Sequence, residues 1–134
     1  MRRVQRGCGS ARVSLDIWGC KPELLTDSGA VEKILREIIE RYDLGLRKVF
    51  IDTLDGDNAS YEMFISLQDS FIVVETWAND GVKCHHHYMK VVFDFCGHSK
   101  DRRLDVESAA ADFVTKVVAA DAMVEKLVST LHGP

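Results

Sequence analysis

The chain has 134 residues, of which 46% are hydrophobic and 28% are charged, with a formal net charge of -4 and a pI near 5.7. This length and composition are typical of one globular domain. A net negative chain without a basic patch argues against nucleic acid or an anionic membrane surface as a partner. No apolar run approaches the roughly 18 residues that a transmembrane helix needs, so no membrane partner is expected.

The start of the chain is rich in arginine and glycine and has no apolar periodicity, so we predict a flexible basic tail over residues 1–11. A single domain would then occupy residues 12–134. The tail lacks the apolar segment of a secretory signal, so a cytoplasmic location is expected. The four cysteines are accordingly expected to be reduced thiols.

Alternating apolar residues predict a first strand through Val13, Leu15 and Ile17, followed by a turn over residues 19–26. Asp27 or Ser28 is expected to cap the helix that follows. The apolar positions of this helix recur with helical spacing and are Val31, Ile34, Leu35, Ile38, Ile39 and Tyr42.

Four further strands are predicted at residues 46–54, 61–67, 71–77 and 89–96. The segment Asp55-Gly56-Asp57-Asn58 indicates a hairpin between the first two of them. Gln68-Asp69-Ser70 separates the next two, so Ser70 is expected at a tight corner, where backbone strain is easily stored.

A second helix is predicted over residues 106–118. Beyond it, apolar positions from Met123 to Leu131 keep a helical spacing, and helix and strand both stay open there. The order βαββββα predicts a two-layer α+β sandwich, with a mainly antiparallel sheet and two helices on one face. The other face would carry Phe50, Phe64 and Trp77, and we expect it to meet a partner.

The candidate catalytic residues lie in one stretch of the chain, from Ser70 to Gly97. Ser70 opens a strand that ends on Glu75-Thr76-Trp77, and the next strand ends on Cys96-Gly97. Adjacent antiparallel strands would bring the hydroxyl of Ser70, the carboxylate of Glu75 and the thiol of Cys96 into one neighbourhood.

This order of pieces resembles the small bacterial and archaeal S-adenosylmethionine decarboxylases. In that family an acidic residue and a serine open a strand that ends on His-Thr-Trp-Pro-Glu, and Cys-Gly follows the next strand. Residues 15–25, LDIWGCKPELL, also resemble the family's first strand and its aromatic-Gly-Cys-x-Pro-Glu-Leu-Leu turn. The resemblance covers roughly residues 12–118, and it favours a break near Ala120 followed by a final strand.

The chain departs from the family pattern at two places. Glu75 occupies the position of the family histidine, and Ala78-Asn79 replaces the Pro-Glu that follows the tryptophan. The loop between Trp77 and Cys96 is also longer than is usual in the family.

The resemblance implies self-cleavage of the Asp69–Ser70 bond, which converts Ser70 into a covalent pyruvoyl group. Such a group forms a Schiff base with a substrate amine and acts as an electron sink. Cys96 would return a proton to the substrate carbon after carbon dioxide leaves. Glu75 would assist the elimination step if burial raises its pKa, or it would serve as a counter-charge for a cationic substrate. An adenosyl group would bind against Phe50 and Trp77, with Asn79 in place of the ribose-binding glutamate.

Plainer interpretations stay open for each of these residues. A serine can satisfy a turn, a cysteine can act as a small buried hydrophobe, and a glutamate can sit exposed on a strand. The run Cys84-His85-His86-His87, with His98 beyond it, would alternate sides in a strand and could not converge on one ion, so no metal is expected.

The predicted function is therefore pyruvoyl-dependent decarboxylation of S-adenosylmethionine for spermidine synthesis, by a homodimer acting on a small molecule. One alternative is a pyruvoyl decarboxylase of a basic amino acid such as ornithine or arginine. The other is an uncleaved, inactive homologue that acts as a binding or regulatory partner.

Overall fold

The computed structural model describes residues 9–53, 60–78, 88–97 and 102–132. This part of the chain contains six strands, two α-helices and one short 3-10 helix. In chain order they are β1 (Gly9–Cys20), the 3-10 helix (Pro22–Leu25), α1 (Ser28–Arg41), β2 (Leu46–Thr53), β3 (Tyr61–Leu67), β4 (Ser70–Trp77), β5 (Tyr88–Gly97), α2 (Arg103–Val117) and β6 (Val118–His132).

The described strands form one antiparallel sheet in the order β2-β3-β4-β5-β1-β6. Strands β2 to β5 pair with their neighbours in sequence, as is usual for short connections. Strand β1 lies between β5 and β6, so the start of the chain is held by two strands from its second half. Both helices pack on one face of the sheet, and the predicted two-layer α+β sandwich is confirmed.

The inner face of the sheet, which lies against the helices, is apolar because alternate residues of each strand point into it. Val13, Leu15 and Ile17 are buried there, as predicted. Phe113 of α2 meets Phe93 of β5 edge to face, with ring centroids 5.7 Å apart. Since these side chains are almost fully removed from water, this layer supplies most of the hydrophobic stabilisation.

Helix α1 begins at the predicted cap. The Asp27 carboxylate accepts a hydrogen bond from the Ala30 backbone N–H at 3.0 Å, which satisfies one of the otherwise unpaired donors of the first turn. Of the predicted apolar positions, four are buried and two are partly buried, namely Val31, Leu35, Ile38 and Ile39, then Ile34 and Tyr42. The predicted stripe is therefore the face that packs on the sheet.

The last third of the chain contains a helix followed by a strand. Helix α2 ends at Val117, and Val118 is already extended, with φ -82° and ψ 145°. The predicted break near Ala120 is confirmed. The helical spacing beyond it was misleading because β6 carries apolar residues on both faces, with Val124 opposite Ile17 on the inner face and Leu127 opposite Ser14 on the outer one.

Two expectations concern the margins of the domain. Strand β1 begins at Gly9, so residues 9–11 of the predicted tail belong to the sheet, and Ala11 is buried. Residues 1–8 and the predicted hairpin at residues 55–58 lie outside the described part of the chain. Within that part, no helix combines the length and the apolar character needed to cross a membrane.

Candidate active site

The β3–β4 corner is built around a residue in the left-handed region of backbone space. Leu67 pairs with Ser70, and Gln68 and Asp69 make the turn between them. Asp69 has φ 69°, a conformation that costs a non-glycine residue roughly 1–2 kcal/mol. The Gln68 N–H donates to the Gly45 carbonyl at 2.9 Å and fixes the turn against the chain that leaves α1. The expected tight corner is therefore present, with its strain on the residue before the serine.

Ser70 and Cys96 meet at the rim of the sheet. Ser70 lies opposite Phe95, and its Oγ accepts a hydrogen bond from the Cys96 backbone N–H at 3.0 Å. Backbone N–H groups of a strand point along the plane of the sheet, so this contact places the hydroxyl near that plane. Both residues are half-buried, and Cys96 keeps a reduced thiol. A hydroxyl and a thiol thus share one end of the sheet.

An ion pair that sequence reasoning missed lies beside them on the outer face, the face opposite the helices. The Arg12 guanidinium contacts the Asp94 carboxylate at 2.7 Å and lies 5.8 Å from the ring centroid of Phe71. Arg12 and Phe71 both lie opposite Asp94 in the sheet. The alternation of Ser14 and Asp16 with apolar residues predicted an outer face for β1, but only the pairing of β1 with β5 brings Arg12 to this site.

Glu75 belongs to a row of charged residues that crosses the outer face. We call it the acidic row, and it consists of Asp52, Glu62, Glu75, Lys90, Asp16 and Glu125, each opposite the next. Burial raises the pKa of the Glu75 carboxyl, and the hydrogen bond and charge of Glu62 raise it further, whereas Lys90 lowers it. Five carboxylates and one lysine make this row strongly negative.

Trp77 belongs to a row of three aromatic residues, the aromatic row, beyond the acidic row. Its ring centroid lies 5.1 Å from that of Tyr88, which stacks on Trp18 at 5.3 Å. The Tyr88 hydroxyl donates to the Asp16 carboxylate. Burial and this hydrogen bond raise the pKa of Tyr88 above its ordinary range. The aromatic row therefore offers stacked ring faces directly beside the carboxylates of the acidic row.

Phe50 lies on the same face but two strands away from β4. Its ring is 51% exposed and lies 6.2 Å from the ring of Phe64, which is 41% exposed. An open cleft of about 660 Å³ runs over these rings and reaches the acidic row. Its walls are made by Val49, Phe50, Ile51, Asp52, Glu62, Met63, Phe64, Val73 and Glu75.

The structure brings only part of the predicted site together within one chain. Ser70 and Cys96 meet, but Glu75 lies five residues further along β4, about 16 Å away at the rise of an extended strand. Trp77 is two residues further still. The expected meeting of Ser70, Glu75 and Cys96 in one neighbourhood is thus wrong for Glu75, because the strand runs straight between them.

Other predicted residues lie outside the described part of the chain, namely Asn79, the Cys84–His87 run and His98. Across residues 9–53, 60–78, 88–97 and 102–132, no three or more histidine, cysteine, aspartate or glutamate side chains are grouped so as to hold a metal ion.

Fold and site together define a class: a small α+β sandwich with one open sheet face and, at the sheet rim, a serine whose hydroxyl is bonded to the backbone of a cysteine. Comparison with known proteins places the chain within that class. A family model described as S-adenosylmethionine decarboxylase matches residues 11–126. The chain belongs to this family, and the resemblance seen in its motifs is confirmed.

A solved structure agrees with this assignment at the level of the fold. The crystal structure of the adenosylmethionine decarboxylase from Aquifex aeolicus VF5 is similar to this chain, with a TM-score of 0.72. The similarity covers 90% of this chain and 88% of that chain, at 14% sequence identity. At such identity the likeness shows the fold alone. No match was found among curated proteins.

Proposed function

We propose that this protein is a carboxy-lyase that decarboxylates S-adenosylmethionine and so supplies aminopropyl groups for spermidine synthesis. Its cofactor would be a pyruvoyl group that the chain makes from Ser70 by cleaving the Asp69–Ser70 bond. The observation that carries this proposal is the β3–β4 corner, where a strained Asp69 precedes a serine whose Oγ is held beside Cys96.

Self-cleavage uses the Asp69–Ser70 bond, one water molecule and a base that accepts the Ser70 α-proton. Ser70 Oγ attacks the Asp69 carbonyl carbon, and the peptide C–N bond is exchanged for an ester. Loss of the Ser70 α-proton then breaks the Cβ–O bond, which leaves a carboxylate on Asp69 and dehydroalanine at position 70. Water hydrolyses the tautomeric imine to the pyruvoyl carbonyl and ammonia. Strain at Asp69 favours the overall cleavage, because the tight turn is released once the chain breaks between Asp69 and Ser70.

The residues around Ser70 fit a small carbonyl-bearing group at the sheet rim. The Cys96 backbone N–H, which now donates to Ser70 Oγ, would lose this acceptor when Oγ leaves with the Asp69 carboxylate, and could then donate to an oxygen of the new group. When present, the pyruvoyl group would supply the electron sink for decarboxylation. The Cys96 thiol would hold the proton that returns to the substrate carbon.

The sheet order predicts that the two fragments stay together after cleavage. The first fragment would hold β1, α1, β2 and β3, and the second would hold β4, β5, α2 and β6. Because β1 lies between β5 and β6, and β3 pairs with β4, three strand pairs join the fragments. Cleavage would therefore free the end of β4 without unfolding the domain.

A homodimer would complete the site. Within one chain, Glu75 and Trp77 lie far from Ser70 along β4, while the outer face exposes Phe50, Phe64 and Trp77. Two such faces packed together, with their strands in opposite directions, would set the aromatic row of one chain over Ser70 of the partner subunit. Sheets packed in this way lie about 10 Å apart, so side chains of one face reach those of the other. The apolar part of the outer face supports this arrangement.

The charges of the outer face suit the proposed substrate. S-adenosylmethionine carries a sulfonium and an ammonium group, and the acidic row offers carboxylates close to exposed aromatic rings. Rings such as Trp77 and Phe50 attract cations and stack on adenine. In this proposal Trp77 and Phe50 bind the adenosyl group, and Asn79 contacts the ribose.

Mass spectrometry of the purified protein tests the processing step. The wild type is expected to give fragments of 69 and 65 residues under denaturing conditions, the latter blocked to N-terminal sequencing. Ser70→Ala should stay whole, whereas Ser66→Ala, on the neighbouring strand, should be cleaved like the wild type. A wild type that stays intact after long incubation would overturn the proposal and favour an uncleaved, inactive homologue.

Two measurements on the cleaved protein test the substrate and the dimer. Carbon dioxide release is expected from S-adenosylmethionine and not from ornithine or arginine, and Cys96→Ala should abolish release without preventing cleavage. Release from an amino acid alone would replace the proposed substrate. Sedimentation at micromolar concentration should give the dimer mass, and a monomer mass would refute the composite site.

A further inference from the structure

The Glu62–Glu75 contact places two carboxyl groups side by side in the cleft of the outer face. The two residues lie directly opposite each other in the β3–β4 pair, and both line the cleft. Residues directly opposite each other in an antiparallel pair have Cβ atoms about 4.5–5.5 Å apart, so the two carboxyl groups come within reach of each other. Ionised carboxylates are acceptors only, so these two groups can hydrogen-bond to each other only when one of them carries a proton.

In the part of the acidic row that surrounds this pair, Lys90 is the one cation among the described residues. Asp52 lies opposite Glu62 on the far side, and Lys90 lies opposite Glu75. Beyond Lys90 come Asp16 and Glu125, and the Tyr88 hydroxyl binds Asp16. One lysine therefore faces five carboxylates, and part of this excess negative charge is relieved when a proton binds between two of them.

We propose that Glu62 and Glu75 share one proton and act as a single acid–base group of the outer face. Glu75 is the member that would contact the reacting atoms, and Glu62 is a positioning residue that sets how tightly Glu75 holds its proton. This role rests on the proposed function, because the composite site brings the outer face of one chain to Ser70 of the partner subunit.

The pair has a chemical advantage over a lone glutamate. A carboxylate with an ordinary pKa is a weak base near neutral pH, and its efficiency improves as its pKa approaches the working pH. Glu62 raises the pKa of Glu75 by its hydrogen bond and its charge, in addition to the effect of burial. The pair would thus provide a group that takes up and returns a proton closer to neutral pH than a lone glutamate does.

Nuclear magnetic resonance of the side-chain carboxyl carbons of labelled glutamate tests the pair without requiring any catalysis. Glu75 is expected to titrate above the ordinary glutamate range in the wild type. Glu62→Gln should lower the Glu75 midpoint, because an amide provides neither the negative charge nor the shared proton. Glu125→Gln is the matched control, since it removes a carboxylate of the same row three strands away, and it should leave the midpoint unchanged.

A Glu75 that titrates like an exposed glutamate, or whose midpoint Glu62→Gln does not move, would overturn the inference. If the protein cleaves itself, the lower pH limit of the cleavage rate should follow the same midpoint and move to lower pH in Glu62→Gln. A high midpoint in a protein that never cleaves would refute the proposed function and retain the proton-sharing pair. If the lower pH limit of the cleavage rate is the same in Glu62→Gln and in the wild type, the catalytic role of the pair is refuted.

Discussion

The inner and outer faces of this sheet come from the same strands but meet different physical demands. Along β4, Ile72 and Val74 point towards the helices and are fully buried, while Val73 and Glu75 between them point to the open face. The inner face holds its side chains mainly by apolar packing. The outer face mixes exposed rings with the acidic row, and no helix in the described part of the chain covers it.

This difference separates stability from chemistry. The inner residues are removed from water and are replaceable by other apolar residues of similar volume. The outer residues add little to the packing of one chain, but they provide the charged and aromatic groups that a substrate or a partner would meet. Mutations on the inner face should therefore mainly change stability, whereas mutations on the outer face should mainly change binding or activity.

The largest contrast is expected between two phenylalanines. Phe113→Ala should lower the free energy of unfolding by about 3–5 kcal/mol, because Phe113 is fully buried against Phe93 and leaves a cavity. Phe64→Ala, on the outer face, should cost less than about 1 kcal/mol in a monomer. Urea denaturation of both variants measures the two values.

Protein concentration sharpens this comparison. If the outer faces pack together in a dimer, the cost of Phe64→Ala should grow with concentration, since association stabilises only the folded chain. The stability lost in Phe113→Ala should be the same at every protein concentration, because Phe113 lies in the core and outside the interface. Equal costs at every concentration would show that Phe64 lies outside any interface.

A smaller contrast is expected between two hydroxyl groups. Thr76 is buried on the inner side, where its Oγ1 accepts from the Tyr61 N–H at 3.0 Å and donates to the Leu25 carbonyl at 2.9 Å. Thr76→Val keeps the shape but leaves both backbone groups unpaired, at a cost of about 1–3 kcal/mol. Ser14→Ala on the outer face should change stability by less than about 0.5 kcal/mol.

Hydrogen exchange gives an independent check on Thr76. The Tyr61 amide should exchange faster in Thr76→Val, while amides in the middle of β1 keep their protection. A variant as stable as the wild type, with a protected Tyr61 amide, would mean that water replaces the hydroxyl at this position.

Much of the fold follows from local patterns in the sequence. The bounds of β3 were predicted without error, and Asp27 caps α1 as expected. The position of β1 between β5 and β6 has no such local signal, because it depends on pairing between strands about eighty residues apart. Sequence periodicity therefore identified the elements up to α2 and their faces, but neither β6 nor the order of the sheet.

Only the part of the candidate site that consecutive strands bring together could be predicted. Ser70 and Cys96 were expected to meet because they belong to consecutive paired strands. Glu75 does not join them, since five residues of extended chain separate it from Ser70 and put it on the other parity of the strand. Arg12 and Glu62 were missed because their roles depend on the cross-strand residues opposite them.

The smallest expected effect is that of Glu75→Gln, which should raise the free energy of unfolding, whereas most mutations lower it. Its pKa is raised in the folded state by burial and by Glu62, so the folded chain holds this proton more tightly than the unfolded chain does. Stability from this group is complete below the unfolded pKa and is lost as pH rises through the folded pKa. Glu75→Gln should consequently stabilise the protein at pH 7, by up to about 1 kcal/mol for a like-charge cross-strand pair, and should make no difference at low pH.

Urea denaturation at several pH values measures this dependence. The stability difference between Glu75→Gln and wild type should appear only above the Glu75 midpoint, and Glu62→Gln should show the same trend because it relieves the same repulsion. Glu37→Gln, an exposed change on α1, controls for the general loss of one negative charge. A destabilised Glu75→Gln at pH 7 would mean that the ion pair with Lys90 outweighs the repulsion by Glu62. The acidic row would then be a balanced network, and its carboxylates would have no excess charge to offer a cationic substrate.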